Sequence, residues 1–159
     1  MFKIGDMAVY PTQGVGVIEA IEPKEFAGST LEFYVLRIVD SDMTIMVPVN
    51  NADQVGLRTL IGRDEIASIF GLLEKSRDNS AIASWSRRQR EYNDKIKSGD
   101  LFEVAEVLRD LYLIRGGKDL SYGEKKVLEQ AQKLLVKEIA LAEGAQEDSI
   151  YEKLEQIFH

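Results

Sequence analysis

The stretch of this sequence best equipped for chemistry is SWSRRQRE, residues 84–91. It contains the only tryptophan of the chain, Trp85, and three arginines follow closely: Arg87, Arg88 and Arg90. Arginine binds phosphate through a bidentate fork, and an indole stacks on a base or inserts between two of them. This combination of residue types indicates a nucleic-acid contact.

A second interpretation places Trp85 in a protein core. Residues near one face of a helix would be Ile82, Trp85, Gln89, Tyr92 and Ile96, with the arginines on the opposite side. Against burial, Trp85 lies in the first turn of the predicted helix, just after the polar stretch SRDNS. The residues alone leave both interpretations open.

A pair of lysines occupies an unusual place in GGKDLSYGEKK, residues 116–126. Ser121 and Glu124 form the capping-box signature that opens a helix. Lys125 and Lys126 therefore lie in the first turns, where the positive end of the helix dipole disfavours cations. They would be well placed if a phosphate docked beside the free N–H groups of the helix start. The alternative is an ordinary solvated face.

Several kinds of enzyme site are excluded by composition. The chain has no cysteine, and its single histidine is His159 at the C-terminus, so thiolate chemistry, a catalytic triad and a histidine-rich metal site are not expected. The spacing of Gly14 and Gly16 in YPTQGVG matches no phosphate-binding loop, and we predict a tight β-turn there. We predict a protein that is not an enzyme and uses neither cofactor nor metal.

The charge is distributed unevenly along the 159 residues, whose net charge is −7. Basic and acidic residues number 6 and 11 in 1–76, 11 and 9 in 77–126, and 3 and 7 in 127–159, giving −5, +2 and −4. An acidic chain with one basic segment is unsuited to coating nucleic acid but leaves room for a local patch. No signal peptide or membrane-spanning run is visible, so we expect a cytoplasmic protein without membrane contact.

Hydrophobic periodicity divides the chain into two parts. Before residue 60 the period is two, which predicts strands over 4–11, 14–22, 31–39 and 43–49. The 31–39 segment is apolar on both faces, as in a central strand. Pro48 cannot donate a ladder hydrogen bond, which places its strand at an edge.

After residue 60 the period is helical, with helices predicted over 63–74, 82–97, 101–114, 123–143 and 149–158. Asp100 and Ser121 are the predicted N-caps, and Gly99, Gly116–Gly117 and Gly144 the predicted helix ends. The fold class is therefore α+β. We predict a small antiparallel β domain over 1–62, a connecting helix and linker over 63–80, and a compact all-helical domain over 81–159.

In its order of parts the chain resembles the CarD-like family of bacterial transcription regulators. The resemblance is carried by FKIGDMAVYPTQGVG, MVPV, VGLR, SWSRRQREYNDKIKSGDLFEVAEVLRDL and LSYGEKKVLEQAQKLLVKEIALAEG. It implies a Tudor-like N-terminal β-barrel that binds the β subunit of RNA polymerase. It also implies a helical domain that contacts promoter DNA at the upstream edge of the bubble and stabilises the open complex.

The resemblance also implies roles for individual residues. DNA contacts fall on Trp85 as a minor-groove wedge, on Arg87 and Arg88 as phosphate ligands, and on Lys125 and Lys126 as a basic patch. Polymerase contacts fall on Lys24 and on the edge strand Thr44, Ile45, Met46, Val47 and Pro48. Several relatives have a basic residue where this chain has Met46, so main-chain pairing is expected there rather than a charged contact.

A monomer tethered to polymerase on the nucleoid is the assembly that we expect. The rival hypothesis is an interaction protein without DNA contact, whose helical domain docks a protein partner.

Overall fold

The computed structural model describes residues 2–11, 13–75, 85–116 and 119–158, and the side chains of residues 85–87 lie outside the description. The chain divides into two compact units, a β-unit over residues 1–60 and a helical unit over residues 61–159. An apolar core fills each of them. The predicted α+β fold class is confirmed.

The β-unit is a five-stranded antiparallel sheet in the order β4-β3-β2-β1-β5. Its strands are β1 (Met7–Tyr10), β2 (Gly14–Phe26), β3 (Ser29–Ile38), β4 (Thr44–Pro48) and β5 (Arg58–Thr59), and a single turn of 3-10 helix, Val49–Asn51, follows β4. The strand that contains Pro48 lies at an edge of the sheet, as its sequence predicts.

Only one face of the central strand β3 enters the core. Tyr34, Leu36 and Ile38 are buried, whereas Phe33 and Val35, on the other face, are half-buried. Strand β3 has a neighbouring strand on each side, as predicted, but its second apolar face lies outside the core and is only half-buried.

Gly16 of β2 is required by packing against this core. A Cβ atom at Gly16 would lie 2.7 Å from the Leu36 side chain. Gly14, at the start of β2, has a φ of +97°, which a tight turn after β1 requires. Both glycines thus serve the sheet, in agreement with the β-turn interpretation of YPTQGVG.

Within the described residues the helical unit contains α1 (Arg63–Glu74), α2 (Trp85–Lys97), α3 (Leu101–Arg115), α4 (Tyr122–Glu143) and α5 (Glu147–Ile157). The first three residues of the helix predicted over 82–97 lie outside the description. In the parts of the chain that are described, no helix is long and apolar enough to cross a membrane.

Helix α1 is part of the helical core, although the sequence suggested a connecting helix. Its residues Ile66, Ile69 and Leu73 are buried in the same cluster as the apolar stripes of α3 and α4. Just before α1, the buried carboxylate of Glu138 accepts a hydrogen bond of 2.9 Å from the Ile61 N–H. This bond fixes the chain where it enters the helical unit.

The helix ends that the structure describes follow the sequence signals. Asp100 caps α3 by accepting a hydrogen bond from the Phe102 N–H. Gly99 and Gly144 have φ values of +81° and +66°. Gly116 has a φ of −65°, so it stays right-handed and its N–H bonds to the Tyr112 carbonyl, as in a continuing helix. Helix α3 therefore ends at the predicted glycine pair, with Gly116 as its C-cap, and Gly117 lies outside the described residues.

Candidate functional site

A chain of buried polar side chains joins α2, α3 and α4. Arg88, one turn after Trp85, donates from Nη2 to Glu124 Oε2 at 3.2 Å and from Nη1 to the Tyr92 hydroxyl at 2.9 Å. The Tyr92 hydroxyl donates in turn to Asp110 Oδ2 at 3.2 Å. None of these four residues is more than 6% exposed. Buried charges require such partners, so the network holds the three helices in one arrangement.

Glu124 stands at the centre of this network because both of its carboxylate oxygens are used. Oε1 accepts from the Ser121 N–H at 3.0 Å, while the Glu124 N–H donates to Ser121 Oγ at 3.2 Å, which completes the predicted capping box. Oε2 pairs with Arg88. Burial opposes ionisation, but the hydrogen bonds from Ser121 and the pairing with Arg88 outweigh it and lower the Glu124 pKa. The carboxylate is therefore charged at neutral pH.

Tyr92 keeps its proton under the same conditions. Burial raises the pKa of the Tyr92 phenol, and this effect exceeds the opposing hydrogen bond from Arg88. The hydroxyl can thus donate to Asp110 while it accepts from Arg88.

Arg88 does not occupy the place that the resemblance implied. Its guanidinium is buried against Glu124 and Tyr92, so a phosphate would have to displace a buried carboxylate in order to bind it. The geometry instead makes Arg88 the residue that positions the first turn of α2 against the start of α4. The side chains of Trp85 and Arg87 lie outside the described residues, and their DNA contacts stay predictions.

The ion pair between Arg88 and Glu124 brings together two segments that the sequence singled out. Lys125 and Lys126, which follow Glu124 directly, are both exposed. They therefore lie on α4 beside the beginning of α2. The Glu124 N–H is already used by Ser121, so the helix start offers a phosphate one donor fewer than the sequence suggested.

Sequence reasoning missed Tyr122, the first residue of α4. Its side chain is 80% exposed, and the Lys126 Nζ lies 5.7 Å from the centre of its ring. The sequence did contain a signal for Tyr122, because it is an aromatic residue that lies outside the apolar stripe of its helix.

Three of the predicted polymerase-binding residues, Lys24, Met46 and Pro48, lie on one face of the β-unit sheet. Lys24 pairs with Leu31 across β2 and β3, and Met46 pairs with Val35 across β4 and β3. Directly paired residues project to the same side, and side chains alternate along each strand. Lys24 and Met46 therefore share one face of the sheet, opposite the core.

This surface, here called the outer face, consists of Lys24, Phe26, Leu31, Phe33, Met46 and Pro48. Phe26, Leu31 and Met46 are 55%, 37% and 41% exposed, and the Phe26 and Phe33 rings lie 5.8 Å apart. Phe26, Leu31 and Phe33 were not predicted. Period-two alternation places these three residues on one face of the sheet, but it does not indicate which face the core covers.

The remaining residues of β4 differ in what they offer a partner. Thr44 is exposed, whereas Val47 is 2% exposed and Ile45 packs against the core. Any contact through Ile45 or Val47 is therefore a main-chain contact, which the edge position of β4 permits.

Two family domains account for most of the sequence. Residues 2–61 match the CarD-like/TRCF RID domain, and residues 68–155 match the C-terminal domain of CarD. The chain belongs to the CarD family.

The chain is also similar to a curated protein and, over part of its length, to solved structures. YdeB of Bacillus subtilis (strain 168), named as a candidate transcription factor, is 36% identical over 150 residues, which cover 94% of this chain and 97% of YdeB. The structure of CdnLNt from Myxococcus xanthus is 54% identical and covers 38% of this chain and 86% of its own, with a TM-score of 0.34. The solution structure of the 72-residue N-terminal domain of Myxococcus xanthus CarD is 37% identical. The match covers 37% of this chain and 79% of that domain, with a TM-score of 0.33.

Membership of the CarD family makes this chain a transcription factor, and its RID domain implies an interaction with RNA polymerase. The two surfaces described above lie in the two family domains. The outer face and β4 belong to the RID match, and the starts of α2 and α4 belong to the CarD C-terminal match.

Proposed function

We propose that this CarD family member binds the β subunit of RNA polymerase through its β-unit, contacts promoter DNA through its helical unit, and stabilises the open complex. The observation that carries the DNA part is the buried ion pair between Arg88 and Glu124. It places the segment bearing Trp85 and Arg87 beside the segment bearing Lys125 and Lys126. In this proposal, Trp85, Arg87, Lys125 and Lys126 contact one stretch of DNA.

The polymerase contact is a strand addition along β4. An edge strand offers main-chain groups to a partner strand, and alternate side chains supply specificity. Met46 on β4 and Leu31 on β3 are exposed apolar residues of the outer face, which a partner could cover. The choice of the β subunit follows from the family resemblance.

Stabilisation of the open complex follows from a preference for distorted DNA. Inserting Trp85 into the minor groove unstacks a base step, which costs a few kcal/mol on intact duplex but less at a fork that is already melted. A ligand shifts an equilibrium by its differential affinity for the two states. A preference of about 1.4 kcal/mol would raise the ratio of open to closed complex tenfold.

Replacing Trp85 by alanine tests this proposal in the complete polymerase–promoter complex. We expect unchanged binding to polymerase, an unchanged melting temperature of the helical unit, and loss of most of the open-complex stabilisation, measured with a fluorescent base inside the bubble. A large fall in melting temperature would instead identify the indole as a core residue. The rival interaction protein predicts no change in Trp85 fluorescence when forked DNA is added.

The salt dependence of DNA binding tests which cations touch phosphate. With Arg87, Lys125 and Lys126 as candidates, the slope of log K against log salt should be roughly −2 to −3. Lys125→Ala should make it shallower by about one, while Lys133→Ala, at an exposed position of the same helix, should leave it unchanged. A much steeper slope on random duplex would contradict a protein that depends on polymerase for its location.

A further inference from the structure

Tyr122 is an exposed aromatic residue that the fold does not use. It is the first residue of α4 and is 80% exposed, whereas Glu124, Val127 and Leu128 in the next turn are buried. A single exposed aromatic residue is unremarkable by itself. Its neighbours give this one a candidate ligand.

Two exposed lysines lie near Tyr122 in the first turns of α4. The Lys126 Nζ lies 5.7 Å from the ring centre, and Lys125 is exposed on the same turn. Glu124, two residues further on, holds Arg88 and with it the first turn of α2. Aromatic rings for bases, with cations for the backbone, are what proteins use to bind single-stranded nucleic acid.

We propose that Tyr122 stacks on an unpaired base of the melted promoter strand and so forms a second aromatic contact, in addition to the one predicted for Trp85. The inference deepens the proposed function and rests on it. The ligand is a single-stranded segment rather than intact duplex, because the face of a base is open to a side-chain ring only when the base is unpaired or unstacked. Stacking tolerates every base, so no sequence preference is expected.

The test compares full-length wild type with Tyr122→Ala and Tyr122→Phe, at low ionic strength, on two labelled DNAs. One is a fork with an unpaired strand, and the other is the matching complete duplex. Tyr122→Ala should bind the fork about tenfold more weakly, in the range expected for one base stacked on an aromatic ring, and should bind the duplex like wild type. Tyr122→Phe keeps the ring and should bind both DNAs like wild type.

The salt slope separates stacking from charge. Tyr122→Ala removes no cation, so its slope on the fork should equal that of wild type, whereas Lys126→Ala should make the slope shallower by about one. Equal melting temperatures of wild type and Tyr122→Ala would show that the exposed ring does not hold the fold together.

Several results would overturn the inference. Wild-type fork affinity in Tyr122→Ala would remove Tyr122 from the interface while leaving the proposed function standing. Equal weakening on fork and duplex would exclude an unpaired base as the ligand, and weakening by Tyr122→Phe would indicate a hydroxyl contact in place of stacking. If wild type binds neither DNA even within the polymerase complex, the proposed function fails together with this inference.

Discussion

The two units of this protein place their candidate surfaces by different physical means. Among the described residues, the buried charged side chains are Arg88, Asp110, Glu124 and Glu138, and all of them belong to the helical unit. The buried residues that form the core of the β-unit are apolar. Paired charges fix the starts of α2 and α4, whereas strand register and alternation fix the outer face.

This difference predicts how each surface responds to substitution. A side chain of the outer face can change without disturbing the ladder that presents it, since the ladder bonds are made by the backbone. Loss of one partner of a buried ion pair leaves the other charged and unsatisfied, which destabilises the fold along with the surface. The helical surface should therefore be the more fragile of the two.

The largest expected effect comes from breaking the ion pair. Glu124→Ala should lower the free energy of unfolding of the helical unit by about 3–5 kcal/mol, because Arg88 is left as an uncompensated buried charge and the capping box is lost. Hydrogen exchange read by mass spectrometry, which resolves the two units, should show normal protection in the β-unit.

A double substitution sharpens this first prediction. Glu124→Gln can keep the capping bond to the Ser121 N–H, and Arg88→Met removes the charge that it would leave unpaired. The loss of unfolding free energy in the double variant should be smaller than the sum of the losses in the two single variants. Additive losses would mean that Arg88 and Glu124 are not energetically coupled.

A smaller effect is expected from overfilling the core of the β-unit. Gly16→Ala places a methyl group 2.7 Å from the fully buried Leu36 side chain and 3.0 Å from the Arg37 carbonyl oxygen. We expect a loss of about 1–3 kcal/mol, confined to the β-unit in hydrogen exchange.

Gly71→Ala in α1 is the matched control, since no atom lies within 4 Å of its added Cβ. This exposed helical position should gain about 0.5–1 kcal/mol. Equal outcomes at the two glycines would show that close approach to Leu36 is not what Gly16 provides.

The outer face should tolerate charge without loss of stability. Met46 is 41% exposed, so Met46→Glu should change the unfolding free energy by about 0.5 kcal/mol or less. Binding to the polymerase β subunit should weaken about tenfold, since a carboxylate would be desolvated in an apolar contact. Surface plasmon resonance measures the second quantity. Thr44→Glu, on the same strand, tests whether the position of the added charge matters. Unchanged binding of Met46→Glu would show that the outer face does not contact polymerase.

The smallest effect is expected from acidification, which weakens the buried ion pair of the helical unit. The Glu124 pKa is lowered in the folded state, so its contribution to stability is complete above the ordinary glutamate pKa of about 4.3 and is lost as pH falls through the lower, folded value. The stability difference between wild type and Glu124→Gln should therefore shrink on acidification. Urea titrations at a series of pH values measure it, and a difference that grows towards low pH would reverse the assigned sign.

The sequence by itself determined the elements and much of their role. Hydrophobic period, Pro48 and the cap signal of Ser121 and Glu124 are local properties, and local sterics and hydrogen bonding set β-strands, edges and helix starts wherever they occur in a fold. The helix Arg63–Glu74 and the edge strand Thr44–Pro48 were predicted for this reason. The family resemblance came from the same linear order of parts.

Only the tertiary structure decided which charges are free. Arg88 and Arg90 stand two residues apart in one arginine-rich run, yet Arg88 is buried and Arg90 is exposed. The difference arises from Glu124, 36 residues away, whose second oxygen faces Arg88. Local sequence also could not show that the Phe33 side of β3 lies outside the core or that Tyr122 stays exposed. Burial and pairing depend on what another segment brings to the same place, and that information lies in the packing of the chain.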